Sequence, residues 1–83
     1  MSQGEIVDRV VTYVVSEIVD DRDAVEVNIV SDGDDAVVAE VRAAKSDMGR
    51  VIGKRGRVAR AIRNVASAAA EEEGLAVEVD FLD

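Results

Sequence analysis

Apolar residues recur in steps of three and four along the first 19 residues, the spacing of one face of a helix. The positions on this face are Ile6, Val7, Val10, Val11, Val14, Val15 and Ile18. Ser2 and Glu5 have the spacing of a capping box, in which a hydroxyl and a carboxylate satisfy free amides at a helix start. The pattern predicts a first helix that ends near Val19, before the acidic residues 20–23.

The next two segments alternate apolar and polar residues with a period of two, which is typical of half-buried strands. Residues 25–29 alternate Val and Ile with Glu and Asn. Residues 37–42 place Val37, Ala39 and Val41 on one side of the chain. The turn sequence Ser-Asp-Gly-Asp-Asp separates the two segments, so the pattern predicts two neighbouring strands joined by a hairpin.

Two further helices are predicted on either side of a glycine-rich segment, residues 53–56. Ser46 can cap a short helix that runs through Ile52, and Gly74 supplies a stop for a longer helix that follows the glycines. The predicted apolar face of the longer helix comprises Val58, Ile62, Val65, Ala66 and Ala69.

The end of the chain predicts a third strand. Three consecutive glutamates, Glu71, Glu72 and Glu73, lie where the helix dipole disfavours acids, so we expect them to be exposed at a fraying turn. Residues 75–81 then alternate apolar and polar side chains. The order α-β-β-α-α-β predicts an α+β fold in which three helices cover one face of a three-stranded sheet. Without any linker or repeat, residues 1–83 are expected to form a single domain.

The charges are divided unevenly along this acidic chain. Residues 45–63 carry seven basic residues and one acid, a net charge of +6, whereas the other residues carry three basic residues and 17 acids, −14, for a total of −8. The basic residues of the segment are Lys45, Arg50, Lys54, Arg55, Arg57, Arg60 and Arg63. The segment is a candidate anion site, and a solvated helix face with paired charges is an equal alternative.

Gly53 and Gly56 lie at the centre of this positive segment. Two glycines three residues apart permit a turn that side chains would block, and they allow the backbone of a partner to come close. The amides and positive dipole end of the following helix face the same place as the bases, which together favour phosphate binding. A tight connection between helices, with the glycines serving chain reversal alone, is the alternative.

The segment "RVIGKRGRVARAIR" resembles the signature of the KH domain, in which a Gly-x-x-Gly loop clamps the backbone of about four nucleotides. The order α-β-β-α-α-β is that of the type II KH fold. The segments "DDRDAVEVNIV", "DMGRVIGKRGRVARAIR" and "ASAAAEEEGLAVEVDFLD" resemble, in register, the small single-domain bacterial KH proteins of the KhpA type. The resemblance covers nearly the whole chain.

The resemblance implies that the protein binds single-stranded RNA as an RNA chaperone or post-transcriptional regulator. It implies as a partner either a second KH protein of the KhpB (Jag) type or a second copy in a homodimer. Gly53 and Gly56 would be the loop glycines, and Lys54 and Arg55 the pair that contacts phosphates. Arg63 lies further from the loop and is a weaker candidate.

Val51 and Ile52 lead into the loop and would lie between the core and an apolar groove that accepts unstacked bases. For at least one of the two, packing in the core is the stronger interpretation. Arg50, Arg57 and Arg60 are placed to reach the RNA backbone, with solvation alone an equal alternative.

The net charge of −8 gives RNA little long-range attraction. We therefore expect weak binding by an isolated copy and a shallow salt dependence, about −0.7 per phosphate contact. Tyr13 and Phe81, the two aromatic residues, fall on predicted apolar faces where core packing is the stronger interpretation. Without surface aromatics, an RRM or cold-shock domain is disfavoured. The alternative function is a KH-fold module for protein interaction or dimerisation in which RNA binding is weak or subordinate.

Other chemistry finds little support in the sequence. Cys and His are absent, which removes thiol chemistry and the commonest metal ligand. The segment "GRVIGKR" has three residues between its first two glycines, whereas a nucleotide-binding P-loop needs four. The acidic residues 32–35 fit a hairpin turn better than a calcium loop. We expect neither an enzyme nor a cofactor. With no signal peptide and no apolar run long enough for a membrane, we expect a cytoplasmic protein.

Overall fold

The computed structural model describes residues 3–82. Its helices and strands are α1 (Glu5–Ile18), β1 (Glu26–Ser31), β2 (Ala36–Arg42), α2 (Lys45–Ile52), α3 (Arg57–Glu72) and β3 (Ala76–Phe81). Two single 3₁₀ turns, Arg22–Ala24 and Lys54–Gly56, precede β1 and α3. The order confirms the predicted α-β-β-α-α-β arrangement of a type II KH fold.

The three strands form one sheet in which β2 lies between β1 and β3. β1 runs antiparallel to β2, with Val27 opposite Val41, and β3 runs parallel to β2, with Val37 beside Val77. The predicted alternation is confirmed, because the side chains of β2 that face the helices are buried. The other face is wet, and acidic residues such as Asp80 are exposed on it.

The core lies between the sheet and the helices and consists mainly of Val and Ala. Its fully buried members include Val7, Val11, Val15, Ala39, Val41, Val51, Ile62, Ala66 and Ala70. Small residues allow α1 and α3 to approach each other closely, so a chain of this size buries a continuous apolar cluster with little aromatic volume. Among residues 3–82, no helix combines the length and the apolar character needed to cross a bilayer.

Two apolar side chains lie outside the core, against prediction. Tyr13 is 68% exposed and Val65 is 41% exposed. Tyr13 is two residues from both Val11 and Val15, roughly 200° around the helix from each of them. Val65 lies at the edge of the buried stripe of α3, because three residues after Ile62 the helix has turned by about 300°. Both predictions were wrong because the apolar residues of α1 and α3 cover a wider arc of each helix than the arc that is buried.

The start of α1 also differs from prediction. Ser2 lies outside the described residues, and the helix begins at Glu5 after Gly4, which has a left-handed φ of 86°. The side chain that caps it comes from the other end of the chain: the Glu73 carboxylate accepts hydrogen bonds from the amides of Gly4, Ile6 and Val7. Exposure of Glu73 was therefore a wrong prediction, whereas its two glutamate neighbours are exposed.

The short helix α2 begins at Lys45, and Ala44 precedes it without a side-chain cap. Ser46 is therefore not the cap that the sequence predicted. Asp47, only 1% exposed, accepts hydrogen bonds from the amides of Asp20 at 3.3 Å and Asp21 at 3.1 Å. The carboxylate ties the beginning of α2 to the chain that leaves α1, and this fixes the helix that leads into the glycine loop.

Candidate nucleic-acid interface

The loop between α2 and α3 has an unusual backbone at three of its four residues. Gly53 has φ 79° and ψ 168°, Arg55 has φ 57°, and Gly56 has φ 70°. The Gly53 amide donates to the carbonyl of Gly49 at 2.9 Å, and the Gly56 amide donates to the carbonyl of Gly53 at 3.1 Å. The chain thus leaves α2, makes one tight turn and enters α3 at once.

The two glycines of the loop have different surroundings. A Cβ on Gly53 would lie 2.4 Å from Cγ2 and 2.9 Å from the amide nitrogen of Val58. A Cβ on Gly56 would meet no atom within 4 Å. Gly53 therefore serves chain reversal, since Val58 packs against its backbone. At Gly56 the space beside the backbone is open to a partner.

Basic side chains surround the start of α3. Lys54, Arg55 and Arg57 are exposed, and the first turn of the helix contains no acid. No side chain among residues 3–82 caps that turn. The first amides of a helix have no partner within the helix, and the helix dipole adds positive potential there. The loop and the first turn together form a positive surface, in which the amide of Arg57 donates to the carbonyl of Lys54.

Arg50 differs from the loop bases because it already has an anionic partner. Its guanidinium donates to both carboxylate oxygens of Asp20, at 3.3 and 3.2 Å, and to the carbonyl of Ile18 at 3.3 Å. The hydrogen bond from Arg50, and then its charge, lower the pKa of Asp20, and the same contact raises the pKa of Arg50. Arg50 therefore joins α2 to the end of α1 in this structure.

The remaining predicted site residues divide between the core and the surface. Val51 is fully buried and belongs to the core, whereas Ile52 is half-buried beside the loop. Arg57 and Arg60 are exposed on α3. Ile52, the loop and Arg57 thus lie together at the junction of α2 and α3, with Arg60 one turn further along α3.

One feature of this region was missed by sequence reasoning. The guanidinium carbon of Arg63 lies 5.2 Å from the centroid of the Phe81 ring, in a cation–π contact between α3 and the edge strand β3. Phe81 is half-buried and packs against the core, as its apolar alternation predicted. No local pattern in the sequence predicts the contact, because it depends on how α3 lies across the sheet.

Comparison with known proteins agrees with this geometry. A family model described as "KhpA/KhpB, KH domain" matches residues 8–81. A protein of Borreliella burgdorferi named RNA-binding protein KhpA is 37% identical over 73 residues, which cover 88% of each chain. Proteins of the same name from Caldanaerobacter subterraneus subsp. tengcongensis and Leifsonia xyli subsp. xyli are each 43% identical to this chain over 72 residues. The alignments cover 87% of this chain, 95% of the Caldanaerobacter protein and 91% of the Leifsonia protein.

The matched region extends from within α1 to the end of β3 and includes the whole glycine loop. The relatives align along nearly their full length and share more than a third of the aligned residues. This chain therefore belongs to the KhpA/KhpB family of KH-domain proteins.

Proposed function

We propose that this protein binds single-stranded RNA as one KH domain, residues 1–83, and that Gly53, Lys54, Arg55 and Gly56 clamp the RNA backbone. The observation that carries the proposal is the start of α3. There an open backbone at Gly56 meets two adjacent exposed bases, Lys54 and Arg55, at the positive end of the helix dipole. The names of the relatives, RNA-binding protein KhpA, support RNA as the ligand.

In this proposal each part of the loop has a distinct task. Lys54 and Arg55 neutralise phosphates, and the amides at the start of α3 donate hydrogen bonds to phosphate oxygens. Gly56 allows the sugar–phosphate backbone to approach closely because it has no side chain. Ile52, half-buried before the loop, offers an apolar surface to an unstacked base. Arg57 and Arg60 provide further phosphate contacts along α3.

The acidic remainder of the molecule limits where RNA can bind. With 17 acids outside the basic segment, long-range attraction is weak, and we expect RNA to bind where the bases of that segment are gathered. Weak binding with rapid release suits a chaperone or post-transcriptional regulator that meets many RNAs. Tasks of this kind need binding without catalysis, so we propose a binding module and not an enzyme.

The test is fluorescence anisotropy with a labelled pool of single-stranded RNA at low and moderate salt. The variant carries both Lys54→Asp and Arg55→Asp. We expect it to lose about 100-fold or more in affinity, since two phosphate contacts become repulsions. Both side chains are exposed, so circular dichroism should show an unchanged fold.

The matched control carries Arg9→Asp and Arg22→Asp, which change the net charge by the same amount outside the loop. We expect its affinity to fall far less than that of the loop variant. Equal losses in the two double variants would mean that overall charge governs binding, and the proposed clamp would be wrong. A labelled DNA of the same sequence tests whether 2′-hydroxyl groups contribute to binding.

A second candidate function is assembly with another copy of the chain. Tyr13 on α1 and Val65 on α3 are large apolar side chains exposed on two helices that pack together. Exposed aromatic residues are enriched in protein interfaces. We propose that these exposed side chains contact a second copy in a homodimer, and a second KH protein of the KhpB (Jag) type is the alternative partner.

Light scattering after size exclusion tests the homodimer. We expect the wild type to have twice the mass of one chain at high concentration, and Val65→Lys to shift it to one chain. A matched control, Ser67→Lys, adds the same charge at an exposed position of α3 that lies about 200° around the helix from Val65. A wild type that remains a single chain at high concentration would contradict the homodimer, and mixing with the second KH protein would then test the other occupant.

A further inference from the structure

The Arg63–Phe81 contact orders a planar cation on the surface of the molecule. Arg63 is exposed, whereas Phe81 is half-buried at the end of β3. At 5.2 Å from the ring centroid, the guanidinium lies within the range in which the face of an aromatic ring attracts a cation. A long Arg side chain normally samples many conformations, so this contact reduces the entropy that a ligand contact would cost.

Arg63 continues a row of basic residues that begins at the glycine loop. Arg57, Arg60 and Arg63 are spaced by three residues on α3 and all three are exposed. Residues three apart are neighbours on a helix surface, and six residues of helix rise by about 9 Å. The row therefore leads from the start of α3 to Phe81, on the edge strand β3.

The acids of β3 lie on the opposite side of the sheet from this contact. Side chains alternate along a strand, and Glu78 and Asp80 are exposed on the face away from the helices, whereas Val79 is buried and Phe81 packs against the core. A single strand that leaves the loop along α3 would reach Arg63 without crossing these carboxylates.

We propose that Arg63, held by Phe81, forms a stacking surface for one unpaired base beyond the nucleotides clamped by the loop. This inference rests on the proposed function and adds a second contact region to it. A guanidinium plane can stack on any base, and RNA-binding proteins use Arg in this way where aromatic side chains are absent. Here the ring of Phe81 orients the guanidinium of Arg63, and the guanidinium stacks on the base.

The test compares a four-nucleotide and an eight-nucleotide oligouridine by anisotropy. The four-nucleotide RNA fills the loop alone, and the longer RNA also reaches Arg63. We expect Arg63→Gln to weaken binding of the longer RNA about 5-fold to 20-fold, the size of one lost stacking contact, and to leave the shorter RNA nearly unchanged. Arg9→Gln, which removes the same charge from α1, is the matched control and should affect neither RNA.

A second variant, Arg63→Lys, separates stacking from charge. Lys keeps the positive charge and lacks the planar group, so a stacking role predicts that it resembles Arg63→Gln. In parallel, 2-aminopurine at successive positions of the longer RNA should show quenched fluorescence at one position, and this quenching should disappear in both variants. Phe81→Leu keeps apolar volume at the edge of the core, releases the guanidinium and should show a partial loss.

The outcomes distinguish this inference from the proposed function. If Arg63→Lys binds the longer RNA like the wild type, or Arg63→Gln does, the stacking surface is wrong while the loop clamp stands. If the wild type binds neither RNA, or the Lys54→Asp and Arg55→Asp double variant binds both normally, the proposed function itself is wrong. An equal loss on both RNAs for Arg63→Gln would also contradict the separate contact region.

Discussion

The helices α1 and α3 both begin after a glycine, but the charged groups around their two starts are of opposite sign. Each follows a glycine with a left-handed backbone, Gly4 with φ 86° before α1 and Gly56 with φ 70° before α3. At α1 the Glu73 carboxylate accepts hydrogen bonds from the amides of Gly4 at 3.0 Å, Ile6 at 3.1 Å and Val7 at 3.2 Å. At α3 no side chain of the described residues takes that position, and the nearest charged residues are bases.

The difference shows how one physical demand is met in two ways. A helix start has unpaired amides and positive potential, so it is stabilised by a carboxylate or another anion. At α1 the protein supplies the anion itself, and the site is structural. At α3 the amide of Arg57 donates to the carbonyl of Lys54, and the side chains around it add only positive charge, so an anion from outside would meet the remaining demand. If this contrast is correct, substitutions at the two helix starts should have different effects, and the largest is expected at the loop glycines.

Replacing each loop glycine by Ala should separate the structural part of the α3 start from its open part. Gly53→Ala combines a backbone region that is essentially restricted to Gly with a Cβ that would lie 2.4 Å from Val58, so we expect a loss of about 3 kcal/mol in unfolding free energy. Gly56→Ala meets no atom and should cost only about 1 kcal/mol of left-handed strain. Urea unfolding measures both, and equal losses would contradict the difference between the two glycines.

Removing the internal anion at α1 should destabilise the fold without affecting the loop. Glu73→Ala leaves three amides without a protein partner, and we expect a loss of about 2 kcal/mol in unfolding free energy. Glu72→Ala, at an exposed neighbouring position, is the control and should change stability by less than about 0.5 kcal/mol. RNA affinity of folded Glu73→Ala should equal that of the wild type. A specific loss of RNA affinity would mean that the two helix starts are coupled.

Local patterns in the sequence predicted the elements and the position of the loop. The period of two at β2 required Val37, Ala39 and Val41 to face the helices, and the steps of three and four required most of α1 and α3 to be helical. The Gly-x-x-Gly spacing between two predicted helices also predicted the position of the loop. These signals are local, so they do not depend on how the elements are arranged in space.

The contacts that distinguish the two helix starts join residues far apart in the chain. The bonds from Gly4, Ile6 and Val7 to Glu73 span 66 to 69 residues. The charge pattern alone gave the opposite prediction, since an acid at a helix end is unfavourable for its own helix. The contacts of Asp47 were equally unpredictable from the sequence. Its carboxylate accepts hydrogen bonds from the amides of residues 20 and 21, which no local pattern connects to it.

Adding an internal carboxylate at the start of α3 should make that site resemble the start of α1. Asp and Asn are the non-glycine residues that best tolerate a left-handed backbone, and Gly56 has room for either. The two variants have nearly the same shape and differ in charge. We expect Gly56→Asp to bind RNA about 10-fold more weakly than Gly56→Asn, because its carboxylate competes with phosphate for the amides.

The same pair of variants should also differ in stability, in the opposite direction. Gly56→Asp places a negative charge at an N-cap, so it should be more stable than Gly56→Asn by about 0.3 to 1 kcal/mol at low salt. Urea unfolding and anisotropy at the same salt concentration measure the two effects. If the carboxylate neither weakened RNA binding nor increased stability relative to Asn, the start of α3 would not be an anion site.

The smallest expected effect concerns Arg50, the base of the positive segment that already has an internal partner. Hydrogen bonding and charge from Arg50 lower the pKa of Asp20 from its ordinary value of 3.8. Because the folded pKa is the lower one, the pair contributes stability at pH values above the ordinary value and loses it as pH falls through the folded pKa. The stability difference between wild type and Asp20→Asn should therefore be small at pH 7 and disappear once the pH has fallen below the folded pKa of Asp20.

RNA binding by Asp20→Asn shows whether Arg50 serves the junction of α1 and α2 or contacts RNA. If Arg50 serves the junction of α1 and α2, its release from Asp20 should change RNA affinity by less than about 2-fold, the scale of one exposed ion pair. A gain of about 10-fold, together with a salt slope steeper by about 0.7, would show that Asp20 competes with phosphate for Arg50. Arg50 would then count with the loop bases as a phosphate contact rather than as part of the junction between α1 and α2.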